Sequence, residues 1–275
     1  MKLWNVSALT TMSVVICLKK LTELFTPLMD YVRPPYQWIR MSLNPTFQTY
    51  LRRNNCPTMN SSVSKTRFPI TFIFDTETTG LPPEDPTGKH KYAPYSKWGN
   101  QCRLLQLAWQ IRGTDGTLLH SYNAYVRPEG FTIPEASSAV HTITEEFLSQ
   151  CDCKSVNEVL TDLWEALQTY RVECLVAHNL TFDYHILQNE IHRSKSFQAL
   201  RGLLESLQCY CTYKRGSNYL RQRGIYHPGK LTQYYSYFVE PWETCELKQT
   251  TTLHRADSDV EVCWRLFEKL YPQTH

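Results

Sequence analysis

No apolar run near the start of this chain is long enough to cross a membrane. The best candidate, Leu3–Leu18, covers 16 residues and is broken by Asn5, Ser7, Thr10, Thr11 and Ser13. A membrane span needs roughly 20 mainly apolar residues. No small-residue cleavage site follows it, only Lys19-Lys20-Leu21-Thr22-Glu23, which fits a secretory signal poorly. The ten cysteines lack a CxxC…CxxC spacing; the closest pairs are Cys151-x-Cys153 and Cys209-x-Cys211. That argues against a structural zinc site. A large excess of one charge is also missing. The 29 Lys+Arg stand against 26 Asp+Glu, a formal +3, so wholesale electrostatic coating of nucleic acid is excluded. There is no internal repeat. What is present, 42% hydrophobic and 20% charged residues, is an ordinary globular composition.

The charge is unevenly placed. Residues 1–67 hold nine Lys/Arg and only Glu23 and Asp30 as acids; residues 68–275 hold the other 20 basic and 24 acidic groups. No acid occurs between Tyr31 and Phe74. The expected organisation is a basic leader and linker over 1–67 and one domain over 68–275. An acid-free, Ser/Thr/Asn-containing leader is compatible with organelle targeting, but a poorly ordered extension is the simpler reading. Cys174 and Cys263 lie in apolar runs, where a reduced thiol is a small hydrophobe. The domain is long enough to bury a core without disulfides, so an intracellular, reducing compartment is expected.

Phe68–Phe74 (FPITFIF) reads as a strand buried on both faces. Residues 82–100, with four prolines, read as an irregular loop. Residues 103–111 and 118–126 read as two strands joined by a hairpin turn at Thr114-Asp115-Gly116-Thr117. Ser155 and Glu158 form a capping box before an amphipathic helix, with Val156, Val159, Leu160, Leu163, Trp164 and Leu167 on one face. A buried strand at 173–177, a helix from Leu180 to about His192, a further strand at 207–211 and a last helix ending before Pro272 follow. The sum is an α/β fold: three antiparallel strands, then parallel ones, with helices on both faces.

Four acids stand where a soluble protein normally avoids them. Asp75 and Glu77 close the buried strand at i and i+2, so they leave one face together. Asp183 heads the apolar stripe of Ile186, Leu187 and Ile191, and Asp259 that of Val262, Cys263 and Leu266. Asp257 aligns less well. Unpaired buried carboxylates would cost several kcal/mol each and would raise one another's pKa. Divalent cations relieve both penalties. Hard oxygen donors point to Mg²⁺ or Mn²⁺, and several acids around two ions suit in-line phosphoryl displacement. His254, five residues before Asp259, is placed to deprotonate an attacking water.

FDTETTG (74–80), HNLTFD (178–183) and HRADSD (254–259) resemble the three motifs of the DEDDh, or DnaQ-like, 3′→5′ exonucleases, including the polymerase III ε-subunit type. Residues 133–135 (IPE) and 140–144 (VHTIT) resemble a connecting segment usually written IHGIT, with Thr142 in place of its Gly. Lys230-Leu231 resembles the KL that precedes the third motif. The resemblance covers about 68–272. It implies a ribonuclease H-like fold and release of nucleoside 5′-monophosphates from single-stranded or frayed 3′ ends of DNA or RNA, DNA favoured. It implies that Asp75, Glu77, Asp183 and Asp259 hold two Mg²⁺ or Mn²⁺ ions, that His254 is the general base, and that Thr78 and Thr79 approach the terminal nucleotide. The competing reading is a silent nucleic-acid-binding or scaffolding module on the same fold. No polymerase-partner motif is legible. Residues 210–238 interleave seven tyrosines with Lys214, Arg215, Arg221, Arg223 and Lys230. That composition suits a single-strand path, and Arg221 and Arg223 are its expected phosphate contacts.

Overall fold

The computed structural model describes residues 68–226, 229–250 and 254–274; the expected leader lies outside them. The sheet has strands β1 (Thr71–Thr78), β2 (Leu104–Arg112), β3 (Leu118–Tyr125), β4 (Cys174–Ala177) and β5 (Gln208–Cys211) in the order β3-β2-β1-β4-β5. β2 is antiparallel to both β1 and β3; β4 is parallel to both β1 and β5. This is the mixed, ribonuclease H-like sheet expected.

Side chains alternate across β1 and so feed two cores. Phe72 and Phe74 pack under α3 (Val156–Thr169), α4 (Leu180–Ser194) and α5 (Gln198–Ser206); Ile73 packs under α9 (Ala256–Thr274). Each fully buried Phe or Ile contributes about 1.5–3 kcal/mol. The hairpin turn forms as read: Thr117 N–H bonds the Asp115 carboxylate at 2.9 Å, and Gly116 takes φ 91. A side chain at Gly116 would also press on the Trp264 ring. The Ser155–Glu158 capping box at α3 is complete in both directions.

Three differences from the sequence reading have physical causes. The loop at 82–100 is irregular as expected, but it is packed into the core and contains a short helical turn. Trp98 is buried and donates from its ring N–H to Ala93 O, and residues 95–97 make a 3₁₀ turn. The Tyr-rich segment contains two helices, α6 (Thr212–Arg221) and α7 (Leu231–Phe238). α9 runs through Pro272 to Thr274; the lost backbone bond and the ring's crowding of the preceding turn fall only two residues before the helix ends. Short helices α1 (Glu135–His141), α2 (Glu145–Ser149) and α8 (Glu246–Thr250) complete the described elements. Among the described residues no helix is long and apolar enough to cross a membrane.

Candidate active site

β1 outruns its neighbour. Its pairing with β4 ends at Ile73↔Val176, so the later N–H groups on that edge need other partners. The chain leaves β4 through Asn179, whose left-handed backbone (φ 67) turns it into α4; Asn tolerates that conformation. One turn into α4, buried Asp183 reaches back. Its Oδ1 accepts from Thr76 N–H at 3.1 Å and from Thr76 Oγ1–H at 2.8 Å.

Asp75 and Glu77 leave the opposite face of β1, beneath α9. Oxygen atoms of Asp75, Glu77 and Asp259 lie within 4.8 Å of one another. Burial lifts all four carboxyls above their ordinary range. For Asp75 the charges of Asp183, Asp259 and Glu77 add to burial; for Glu77 those of Asp259 and Asp183 do. The bonds from Thr76 work against the rise at Asp183, and the His254 backbone N–H works against it at Asp259. Oδ1 of Asp259 is buried without a hydrogen-bond partner. An all-oxygen set with an orphaned carboxylate oxygen fits a hard divalent cation.

His254 stands at the rim, exposed, with a left-handed backbone (φ 59) just before α9. His141 lies inside. The Ile143 N–H can only donate, so His141 Nδ1 accepts it (3.0 Å) and Nε2–H donates to Thr78 O at 3.1 Å. His178, from the second motif, bonds Thr212 Oγ1 at 2.9 Å, and burial pushes it down to about 4. It stays neutral near pH 7 and leaves His254 as the accessible histidine of the motifs.

The family model for exonucleases of the RNase_T type matches residues 72–267, from β1 through α9. The chain belongs to this exonuclease family. Its fold is that of the DEDDh superfamily. Among solved structures similar to this exonuclease domain are cell-death related nuclease 4 (TM-score 0.53, 15% identity, 75% of this chain and 65% of that one) and exonuclease I (TM-score 0.51, 15% identity, 75% and 42%). A further one is E. coli exonuclease I with a dT13 oligonucleotide (TM-score 0.50, 15% identity, 75% and 42%). The chain thus spans about two-fifths of the exonuclease I chains. No curated protein sequence matches it.

The candidate site gathers Asp75, Glu77 and Asp259 near the end of β1, with Asp183 bonded to Thr76 and the His254 backbone N–H bonded to Asp259. Thr78 and Thr79 are buried and their hydroxyls are engaged. Thr78 Oγ1–H donates to Gly80 O at 2.7 Å, and Thr79 Oγ1 accepts the Arg103 N–H at 2.8 Å. Arg221 and Arg223 lie apart, at the end of α6. The Arg223 guanidinium sits 3.5 Å over the Tyr219 ring and donates to Tyr219 O. Tyr210, Tyr234 and Tyr235 are core residues, whereas Tyr226 is 88% exposed.

Two supporting residues escaped the sequence reading. Buried Gln106 faces Glu77 across the β1–β2 ladder. Its Oε1 accepts the Ala256 N–H at 3.3 Å and its Nε2 donates to Asn123 Oδ1 at 2.8 Å. It therefore ties the start of α9, which carries Asp259, to β2 and β3, and β2 pairs with the strand that carries Asp75 and Glu77. Glu190, 1% exposed, pairs with Arg103 at 2.8 Å and accepts the Leu104 N–H, which fixes α4 to β2. Removing one partner of such a pair costs about 3–5 kcal/mol. The sequence signal for Gln106 was a polar residue within an apolar run, and for Glu190 an acid on the α4 stripe of Asp183, Ile186, Leu187 and Ile191.

Proposed function

We propose that this chain is a metal-dependent 3′→5′ exonuclease of the DEDDh class, of the polymerase III ε-subunit type. Its substrates are single-stranded or frayed 3′ ends, and its products are nucleoside 5′-monophosphates. The observation that carries this is the convergence of Asp75, Glu77 and Asp259 around one point, with Asp183 behind them and an orphaned Asp259 oxygen. Such a cluster is self-repelling unless cations occupy it. Asp75, Glu77, Asp183 and Asp259 would hold two Mg²⁺ or Mn²⁺ ions. When bound, such ions neutralise the phosphate and acidify water. His254, exposed at the rim, takes the proton of the attacking water. His141 holds the Thr78 carbonyl, and with it the strand end where the terminal nucleotide would lie. DNA is the favoured substrate, supported by the deoxy-oligonucleotide bound to E. coli exonuclease I.

The test is cleavage of 3′-labelled DNA and RNA strands with Mg²⁺ and with EDTA. Asp75→Ala and Asp259→Ala should each abolish Mg²⁺-dependent release. His254→Ala should slow it by about 10²–10⁴-fold while Mn²⁺ binding persists. Parental rates in either aspartate variant would sink the metal assignment. Loss of Mn²⁺ binding in His254→Ala would make that histidine a ligand or a structural residue.

A further inference from the structure

We infer that the outer face of α4 carries a second nucleic-acid contact, a trough that holds the strand away from the reacting end. This rests on the exonuclease reading for its choice of ligand. Thr181, His185 and His192 fall on one stripe of α4, at four- and seven-residue spacing. His185 is about 200° round the helix from Asp183, at 3.6 residues per turn. This face therefore points away from the carboxylates.

Two cavities open along it and share His185. The first, about 420 Å³, starts at the first turn of α4, at Leu180 and Thr181, and is walled by Tyr184, Lys214 and Arg215. The second, about 550 Å³, is walled by Lys91, Tyr92, Tyr95, His192 and Arg201. Both fall in the size range of ligand sites. No acid lines either cavity. Among the described residues Lys91, Lys214 and Arg215 form no ion pair; only Arg201 does, with Glu205 at 2.9 Å.

The wall supplied by the loop at 82–100 is firmly set. Tyr95 OH and His185 Nδ1 are hydrogen-bonded at 2.7 Å. Tyr92 stands edge-on to His185, and Tyr95 packs on His192. Arg193, at the end of α4, donates to Gly99 O and Asn100 Oδ1. Cations, of which only Arg201 is ion-paired, and aromatic rings together line two cavities that share His185, which suits a polymer that alternates phosphates and bases. The groove begins two residues before Asp183, so a strand leaving the carboxylate site can enter it over the start of α4. Lys214 and Arg215 fit this role better than Arg221 and Arg223 because they line the first cavity and the other two do not; Arg223 sits 3.5 Å over Tyr219, whereas Arg215 lies more loosely over Tyr210, at 5.5 Å.

The experiment uses the full chain, a 5′-labelled oligo-dT of about twenty nucleotides, and fluorescence anisotropy in EDTA over a salt series. Lys214→Ala/Arg215→Ala should weaken binding about tenfold at 0.15 M salt. It should also lower the magnitude of the log–log salt slope by about 1.4, at roughly 0.7 per lost single-strand contact. Lys91→Ala should lower it by about 0.7. Both variants should cleave a dinucleotide with the parental kcat/KM in Mg²⁺. An unchanged slope in both variants overturns the trough. So does equal competition by polyglutamate, which would mark a site for an acidic protein. Equal losses on the dinucleotide and the long strand also overturn it, because the change would then act through the carboxylate site. A parent that binds with these slopes but never cleaves sinks the exonuclease reading and leaves the trough standing. A parent that cleaves while its variants bind unchanged does the reverse.

Discussion

Thr142 ends α1 with φ 62 and ψ 4. A β-branched residue in this left-handed region is strained, by about 1–2 kcal/mol. Glycine removes the strain but loses about 0.5–1 kcal/mol of chain entropy. Thr142→Gly should therefore stabilise the protein by about 0.5–1 kcal/mol, which is a rise of a few degrees in Tm. A thermal melt checks this, and a lower Tm would mean that the threonine side chain has packing value outweighing its strain. The motif comparison flagged Thr142 only as a departure from a usual glycine; the backbone angle supplies the reason. At this scale the sequence exposed the acids well, because each heads an apolar stripe or closes a buried strand. It could not expose the bond from His141 to Thr78 O, which joins residues 63 positions apart.

Among the elements, α6 and α7 approach most closely at Gly216, beside the Ser217–Tyr234 hydrogen bond and the Tyr219–Phe238 ring contact. A Cβ on Gly216 would lie 2.8 and 2.9 Å from two ring carbons of Tyr234, which is fully buried. Helix propensity alone favours Gly216→Ala by about 1 kcal/mol. Overpacking a fixed ring costs about 1–3 kcal/mol. The substitution should therefore leave the protein no more stable and most often less so, as read from the midpoint of urea unfolding; a gain of a full 1 kcal/mol would mean that Tyr234 moves freely. The strands were legible because β1 is apolar throughout and the β2–β3 turn carries its own chemistry. α6 and α7 were not, since their buried faces are made of tyrosine and glycine rather than a Leu/Ile/Val stripe. α1 and α2 are too short to show a period.

At the scale of the molecule, the four raised carboxyls set the response to pH. The folded state holds their protons more tightly than the unfolded chain, whose carboxyls titrate near pH 4. Their contribution is fully present below that pH and is lost as pH rises through the folded values, so metal-free stability should fall between about pH 4 and 8. Mg²⁺ binds the deprotonated, folded form, so its stabilisation should grow over the same interval. Melts from pH 5 to 8 with EDTA and with Mg²⁺ should therefore diverge as pH rises. Parallel curves would mean that the carboxyls titrate normally. The fold class was legible because two core faces alternate along β1. The trough was not, because it joins a loop near residue 91 to helices near 201 and 214.

β3 closes the sheet on one side with eight residues, LLHSYNAY, that include neither proline nor a formally charged side chain. Leu118 and Leu119 are 49% and 43% exposed. Natural proteins usually guard such a border with lysine, proline or a bulge; β3 has no lysine or proline and a single irregularity at Leu119, where its register against β2 shifts. Among the described residues only its last positions gain cover, where Lys154 N–H bonds Tyr125 O. In a concentrated solution this border is where two copies would begin to share one ladder, and a lysine at position 119 is the smallest change that would keep them apart.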